Sequence, residues 1–287
     1  MRDGPPRWGA GAWLAAALEG VLDLVLPGVC ASCGRPIGLG ESDGSGGPAG
    51  RREGTARHSD RAGAGSRSLC GACRGTLTWP DGRGPRVVAV STPGLPAVWA
   101  AGPYDGPLRR LIVAYKDGDR RDARSALAPM FADSIVAAAR SAGGVAAVVP
   151  VPSSAASRRR RGDEPLRDLV RAALETLGPD PAHVGLMAAP LLRVTRRVRD
   201  QAGLDAAARA ANLAGSFTVR PVRTGRAVPP GLPCLLVDDV VTTGSSLAEA
   251  VRALRAAGAR PIACAVVAAT PRRIPGPRRG RGNTEAA

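Results

Sequence analysis

The chain is poor in aromatic residues, in histidine and in lysine. Phe, Trp and Tyr make up 3% of its 287 residues, so a core must be assembled mainly from Ala, Val and Leu. Platforms for stacking on single-stranded nucleic acid are equally scarce, the indoles being Trp8, Trp13, Trp79 and Trp99. The two histidines, His58 and His183, have no partner at ligand spacing, which leaves metal chemistry to other side chains. Lys116 is the only lysine, and arginine supplies nearly all the positive charge. Long apolar runs are missing too, so no stretch reaches the length of a membrane span. Residues 10–18, after Arg2 and Arg7, faintly resemble a signal peptide, but Glu19 and Asp23 interrupt the run. Residues 13–26 read instead as an amphipathic or buried helix within an N-terminal segment 1–29, and a cytoplasmic location is expected.

What is present is a basic, moderately apolar chain. Hydrophobic residues account for 44%, and the formal net charge is +16. Such a balance favours anionic partners, phosphates or nucleic acid. Arginine on a solvated face and in tails would give the same excess. Residues 38–68 are rich in Gly, Ser, Arg and Ala without apolar periodicity and read as a flexible insertion. Residues 271–287 read as a disordered basic tail.

Between these segments, strand and helix patterns alternate. Residues 86–90 and 97–101 are strand candidates. Leu108, Leu111, Ile112 and Tyr115 recur as one helical face. A longer helix is predicted over 122–140, with Pro129 expected to kink or break it. Residues 145–151 form a buried strand. Leu166, Leu169, Val170, Ala173, Leu174 and Leu177 make a helical stripe closed by Gly178 and Pro179. A strand over 234–237, a helix carrying Leu247, Val251 and Leu254, and a strand over 261–268 complete the pattern. Strands alternating with helices predict an α/β domain over 86–270 with a mostly parallel sheet flanked by helices.

Two constellations carry chemistry. Residues 234–246 read CLLVDDVVTTGSS. An apolar strand ends on Asp238 and Asp239, whose burial is costly without partners. Thr242, Thr243, Gly244, Ser245 and Ser246 follow and lead into a helix. Gly244 permits a tight turn, and loop N–H groups, hydroxyls and a helix N-terminus together make an anion site. Ser246 and Glu249 also fit a capping box, a purely structural use of the serine. The second constellation is a duplicated C-x-x-C: Cys30 with Cys33, and Cys70 with Cys73. Four thiolates suit tetrahedral Zn²⁺ in a closed, structural site. Gly34 and Gly71 favour the tight turns such a site needs, and the long insertion between the pairs costs little closure entropy. A redox dithiol is the alternative.

The strand, acid pair, loop and helix resemble the PRPP-binding motif of type I phosphoribosyltransferases (PRPP is 5-phosphoribosyl diphosphate). Further stretches resemble the ComF family of competence-associated, amidophosphoribosyltransferase-like proteins. These are Tyr104-Asp105-Gly106 with residues 108–119, Val149-Pro150-Val151-Pro152 with residues 158–162, and Asp200-Gln201, Leu204, Arg209, Asn212-Leu213 and Phe217. The cysteine pairs match that family's N-terminal zinc ribbon, placed here over residues 30–80. The resemblance implies a type I phosphoribosyltransferase-like α/β domain with a small zinc-ribbon module. It implies that Asp238 and Asp239 hold the ribose hydroxyls, directly or through Mg²⁺, and that residues 242–246 wrap the 5′-phosphate. By position, Ser153, Ser154 and Arg161 would form a pyrophosphate loop, and Arg199, Gln201 and Arg209 a basic lid. The implied reaction is transfer of the phosphoribosyl group from PRPP to a small-molecule acceptor with release of pyrophosphate. The chain departs from the family where Asp163-Glu164-Pro165 replaces Phe-Asn-Gln. Two other readings stand beside the enzyme: a DNA-uptake accessory binding single-stranded DNA through the ribbon and basic surface, and a PRPP-binding regulator without catalysis.

Overall fold

The computed structural model describes residues 28–37, 68–118, 120–144, 147–153, 164–178, 185–195, 213–220 and 228–271. The helix expected over 13–26, residues 38–67 of the insertion, Ser154, Arg161, Arg199, Gln201, Arg209 and residues 272–287 of the basic tail lie outside the described residues.

The central sheet follows from short, continuous apolar stretches that can be covered on both faces. Its strands are β1 (Arg86–Val88), β2 (Val98–Pro103), β3 (Ala147–Pro150), β6 (Pro233–Val241) and β7 (Arg260–Ala269), in the spatial order β1-β2-β7-β6-β3. The pairs β2–β7, β7–β6 and β6–β3 are parallel, and β1 is an antiparallel edge. A parallel sheet needs helices on both faces, which is why its strands read as continuous apolar runs.

The covering layers differ. One face meets α2 (Gly106–Asp117), α3 (Arg124–Ser141) and α4 (Pro165–Thr176), packed on Leu235, Val237, Ala265 and Val267. The other meets α5 (Ser245–Ala256) and a ribbon of two short strands, β4 (Leu192–Val194) and β5 (Phe217–Val219), packed on Cys234, Leu236, Cys264 and Val266. Few aromatics are needed because alanine lets the layers approach closely: Ala126, Ala128, Ala132 and Ala138 of α3 are all buried.

Three expectations change at the level of elements. Pro129 does not break its helix, since α3 runs unbroken through it. The N–H that proline lacks would have bonded the carbonyl of Ser125, an exposed residue in the first turn of the helix, so its loss is tolerated there. Strand β6 does not stop at Val237. It continues through both aspartates to Val241, because Asp238, Val240 and Val241 stay in register with Val266, Ala268 and Ala269 of β7. The expected strand 145–151 is found as β3 over Ala147–Pro150, and its edge is extended by Val148 bonding to Met187 and Ala189.

Described residues around both cysteine pairs join this core. Leu77, Cys30, Cys70 and Cys73 belong to the same apolar cluster as Leu108, Leu111 and Ile112 of α2. Gly102 in β2 is required there: a Cβ at this position would lie 2.4 Å from the Leu77 carbonyl oxygen and 2.7 Å from Leu108 Cδ2.

Candidate functional site

The acidic strand end and the loop after it build one concave site. Beyond Val241, Thr242 and Thr243 turn the chain, and Gly244 takes φ 91° to start α5. Only glycine adopts that conformation without strain. A side chain there would also strike the β1–β2 connection, with Leu95 Cδ1 2.9 Å from the added Cβ. That connection braces the loop directly. Thr92 donates to the Thr243 carbonyl through both its N–H (3.1 Å) and its Oγ1 (2.8 Å). Thr243 Oγ1 and Ser245 Oγ share a 3.0 Å hydrogen bond.

The result is a cleft of about 280 Å³ lined by Asp238, Val240, Val241, residues 242–246 and Leu247. The first amides of α5 open onto it, and the helix dipole favours an anion there. The capping box expected from Ser246 and Glu249 is not formed. The N-cap is Gly244 without a side-chain bond. Glu249 is buried on the other side of the helix, accepting from the Phe217 N–H at 3.1 Å and pairing at 2.7 Å with both Arg252 Nε and Nη2. Its carboxylate thus ties α5 to β5. Burial works against its charge, but Arg252 and the Phe217 amide hold its pKa below the ordinary value.

The two aspartates are treated differently. Successive strand residues face opposite sides. Asp238 follows Leu236 toward the α5 side and lines the cleft. Asp239 follows Val237 toward the α2 side, where Lys116 Nζ lies 2.6 Å from its Oδ2. Asp238 Oδ1 also accepts from the Asp239 N–H at 2.9 Å. Burial, and then the neighbouring Asp239 carboxylate, push the Asp238 carboxyl up to about 8 against the pull of the Lys116 ammonium.

Ser153 is described and lies two residues after Val151, whose N–H donates to the Val237 carbonyl beside the acid pair. The sequence reading gave no site role to Thr92, Leu95 or Lys116. The uniqueness of the lysine was the one available signal for Lys116; a loop threonine and leucine offer none.

The cysteines form a separate cluster. Residues 30–34 turn back, with the Gly34 N–H bonding to the Cys30 carbonyl and the Cys30 N–H to the Arg35 carbonyl. A short helix, α1 (Gly71–Arg74), follows Cys70. All four Sγ atoms lie within 4.8 Å of one another, and Cys33 Sγ and Cys70 Sγ are 3.7 Å apart. Four sulfurs around Zn²⁺ with bonds of about 2.3 Å would stand ~3.8 Å apart, so the donor set fits the ion. Burial pushes Cys73 up to about 12. At Cys30 burial is outweighed by the amides of Cys70, Cys33 and Ser32, which hold its thiol at about 6. Without a cation the cluster cannot carry four thiolates; a bound dication would let all four ionise. Two hydrogen bonds fasten the turn to α2: Ser32 Oγ to the Pro107 carbonyl at 3.0 Å, and Arg110 Nε to the Ser32 carbonyl at 2.9 Å.

Together, the mostly parallel sheet flanked by helices and the strand, acid pair, glycine-bearing loop and helix at the cleft fit an α/β fold of the phosphoribosyltransferase kind. The family model for the phosphoribosyl transferase domain matches residues 189–280, a span that takes in β4, β5, β6, α5 and β7. No curated protein matches the chain. Among the described residues, no helix is long and apolar enough to cross a membrane.

Proposed function

We propose that the chain binds PRPP and transfers its phosphoribosyl group to a small acceptor, releasing pyrophosphate. The observation that carries this reading is the cleft in which Asp238 faces the loop 242–246 across the N-terminus of α5. An anion site lies one short step from a hydrogen-bond acceptor, the arrangement a 5-phosphate and a ribose hydroxyl require of one pocket.

In this reading the loop amides and the hydroxyls of Thr242, Thr243, Ser245 and Ser246 hold the 5′-phosphate. Asp238 and Asp239 accept from the ribose hydroxyls and fix the sugar. Mg²⁺ arriving on the pyrophosphate would supply charge neutralisation to the leaving group. Catalysis then rests on orientation and on preorganised dipoles at the site of developing charge. The pyrophosphate loop with Ser153, Ser154 and Arg161, and the lid with Arg199, Gln201 and Arg209, remain part of the proposal. So do the ComF-like organisation, with a ribbon over 30–80 and a transferase domain over 86–270, and Zn²⁺ as the structural ion of the cysteine cluster.

Calorimetric titration of the full chain with PRPP and Mg²⁺ tests the reading. Binding is expected for the wild type and a loss of at least ~100-fold for Asp238→Ala with Asp239→Ala. Unchanged affinity in the double variant would remove the aspartates from the site. Binding without pyrophosphate release across a screen of acceptors would favour the regulator.

A further inference from the structure

Lys116 is the single lysine among forty Lys and Arg residues. It sits in the last turn of α2, where the helix dipole favours a cation. Its ammonium reaches 2.6 Å from Asp239 Oδ2, with the lysine side chain 32% exposed and the aspartate 13%. The pair is therefore screened much less than a surface ion pair. Arginine occupies every other cationic position, yet a compact point charge stands here rather than a planar fork.

Carboxylates are the usual protein ligands of divalent cations, and two stand side by side here. In this chain the place a cation would take beside Asp239 is already filled by the chain's own ammonium. We propose that Lys116 is a built-in counter-ion that keeps the Asp238–Asp239 pair from chelating free divalent cations, and so reserves it for hydrogen-bond donors such as the vicinal hydroxyls of a ribosyl ligand.

The physical basis is exclusion. A dication arriving at Asp239 meets an ammonium held within contact distance of the same carboxylate, at a separation far below the Debye length of about 8 Å in physiological salt. A hydroxyl brings no net charge and meets no such repulsion. It needs only an acceptor lone pair, and a carboxylate offers several sites beyond the one the ammonium uses. Lys116 thus acts as a positioning and specificity residue: it fixes Asp239 and limits the net charge of the pair. Metal reaches this site on the ligand's phosphates and not through the carboxylates. The identity of the diol rests on the phosphoribosyl reading; the mutual exclusion of ammonium and dication does not.

Mn²⁺ is the probe, followed by electron paramagnetic resonance on the full chain with its cysteine cluster zinc-loaded. Lys116→Met is expected to bind one additional Mn²⁺ at least tenfold more tightly than the wild type. Lys116→Arg should stay near the wild type, and Lys116→Met with Asp239→Asn should lose the gain. An unchanged Mn²⁺ affinity in Lys116→Met, or a gain that survives Asp239→Asn, overturns the proposal. A second measurement does not depend on removing the lysine. Acetylation of Lys116, followed by mass spectrometry, should run several-fold faster in Asp239→Asn than in the wild type; equal rates refute the ion pair. A wild-type chain that ignores PRPP but behaves as expected toward Mn²⁺ would refute the substrate reading and leave the counter-ion standing.

Discussion

The cysteine cluster and the acidic loop are both small sites made at tight turns, and they are built on opposite plans. The cluster is closed: its four donors lie within 4.8 Å of one another, and its turn is bonded to α2 through Ser32 and Arg110. The loop is open: its amides and hydroxyls face a cleft, and its bracing comes from behind, through Thr92 and Leu95. A closed site spends its donors on the fold, whereas an open one leaves them for a ligand. Damage to the first should therefore appear as lost stability, and damage to the second as lost binding.

The largest expected effect breaks the closed site. A strong chelator, or Cys30→Ser with Cys73→Ser, should lower the melting temperature by ~10 °C or more, because metal binding free energy is folding free energy and the cysteines share a core with α2. Atomic absorption should show one zinc lost per chain. A metal-free wild type that melts at the same temperature would make the two sites energetically alike and end the contrast.

A smaller effect is expected at Glu249, which stiffens the open site from outside. Glu249→Gln should cost about 2 kcal/mol by removing the buried partner of Arg252. The pH dependence has a definite sign. The folded pKa of Glu249 lies below its ordinary value of 4.5. Its contribution is therefore fully present above the unfolded pKa and is lost as pH falls through the lowered folded one. Denaturant melts between pH 3 and 7 (roughly the carboxylate window) should show the wild type converging on the variant at the acid end. Parallel curves would assign the stability of this corner to packing alone.

The smallest effect sharpens the contrast. Thr92→Val removes a hydroxyl that bonds the Thr243 carbonyl at 2.8 Å. It should weaken PRPP binding a few-fold, since one neutral hydrogen bond is worth about 1 kcal/mol, while the melting temperature moves little. A shift in melting with no change in affinity would make Thr92 part of the fold and not of the site.

Local patterns announced the local features. The apolar residues 234–237, the acid pair and the glycine-bearing turn all stood in the correct order, and α2 and α4 followed from their stripes. Features that depend on distant pairing did not. The strand character of Asp238 through Val241 comes from β7, and two aspartates in a row read locally as a strand's end. The short ribbon β4–β5 has three residues per strand, too few to show a period. Glu249 looked like a capping residue because spacing alone was visible, whereas its partners, Phe217 and Arg252, required the fold. Lys116 and Asp239 meet only after α2 has packed on the sheet.

The strand order has a consequence for how the molecule is made. β2 pairs with β7 and has β1 on its other side, so nothing closer in the chain substitutes for residues 260–269. On a ribosome, residues 98–103 would wait for more than half of the chain before finding their neighbour, and the acid pair would have no second wall until β7 emerged. Long-range parallel pairing of this kind folds slowly and leaves apolar edges open in the meantime. The cysteine turns precede the sheet, and a metal captured there during synthesis would give α2 an early surface on which to dock.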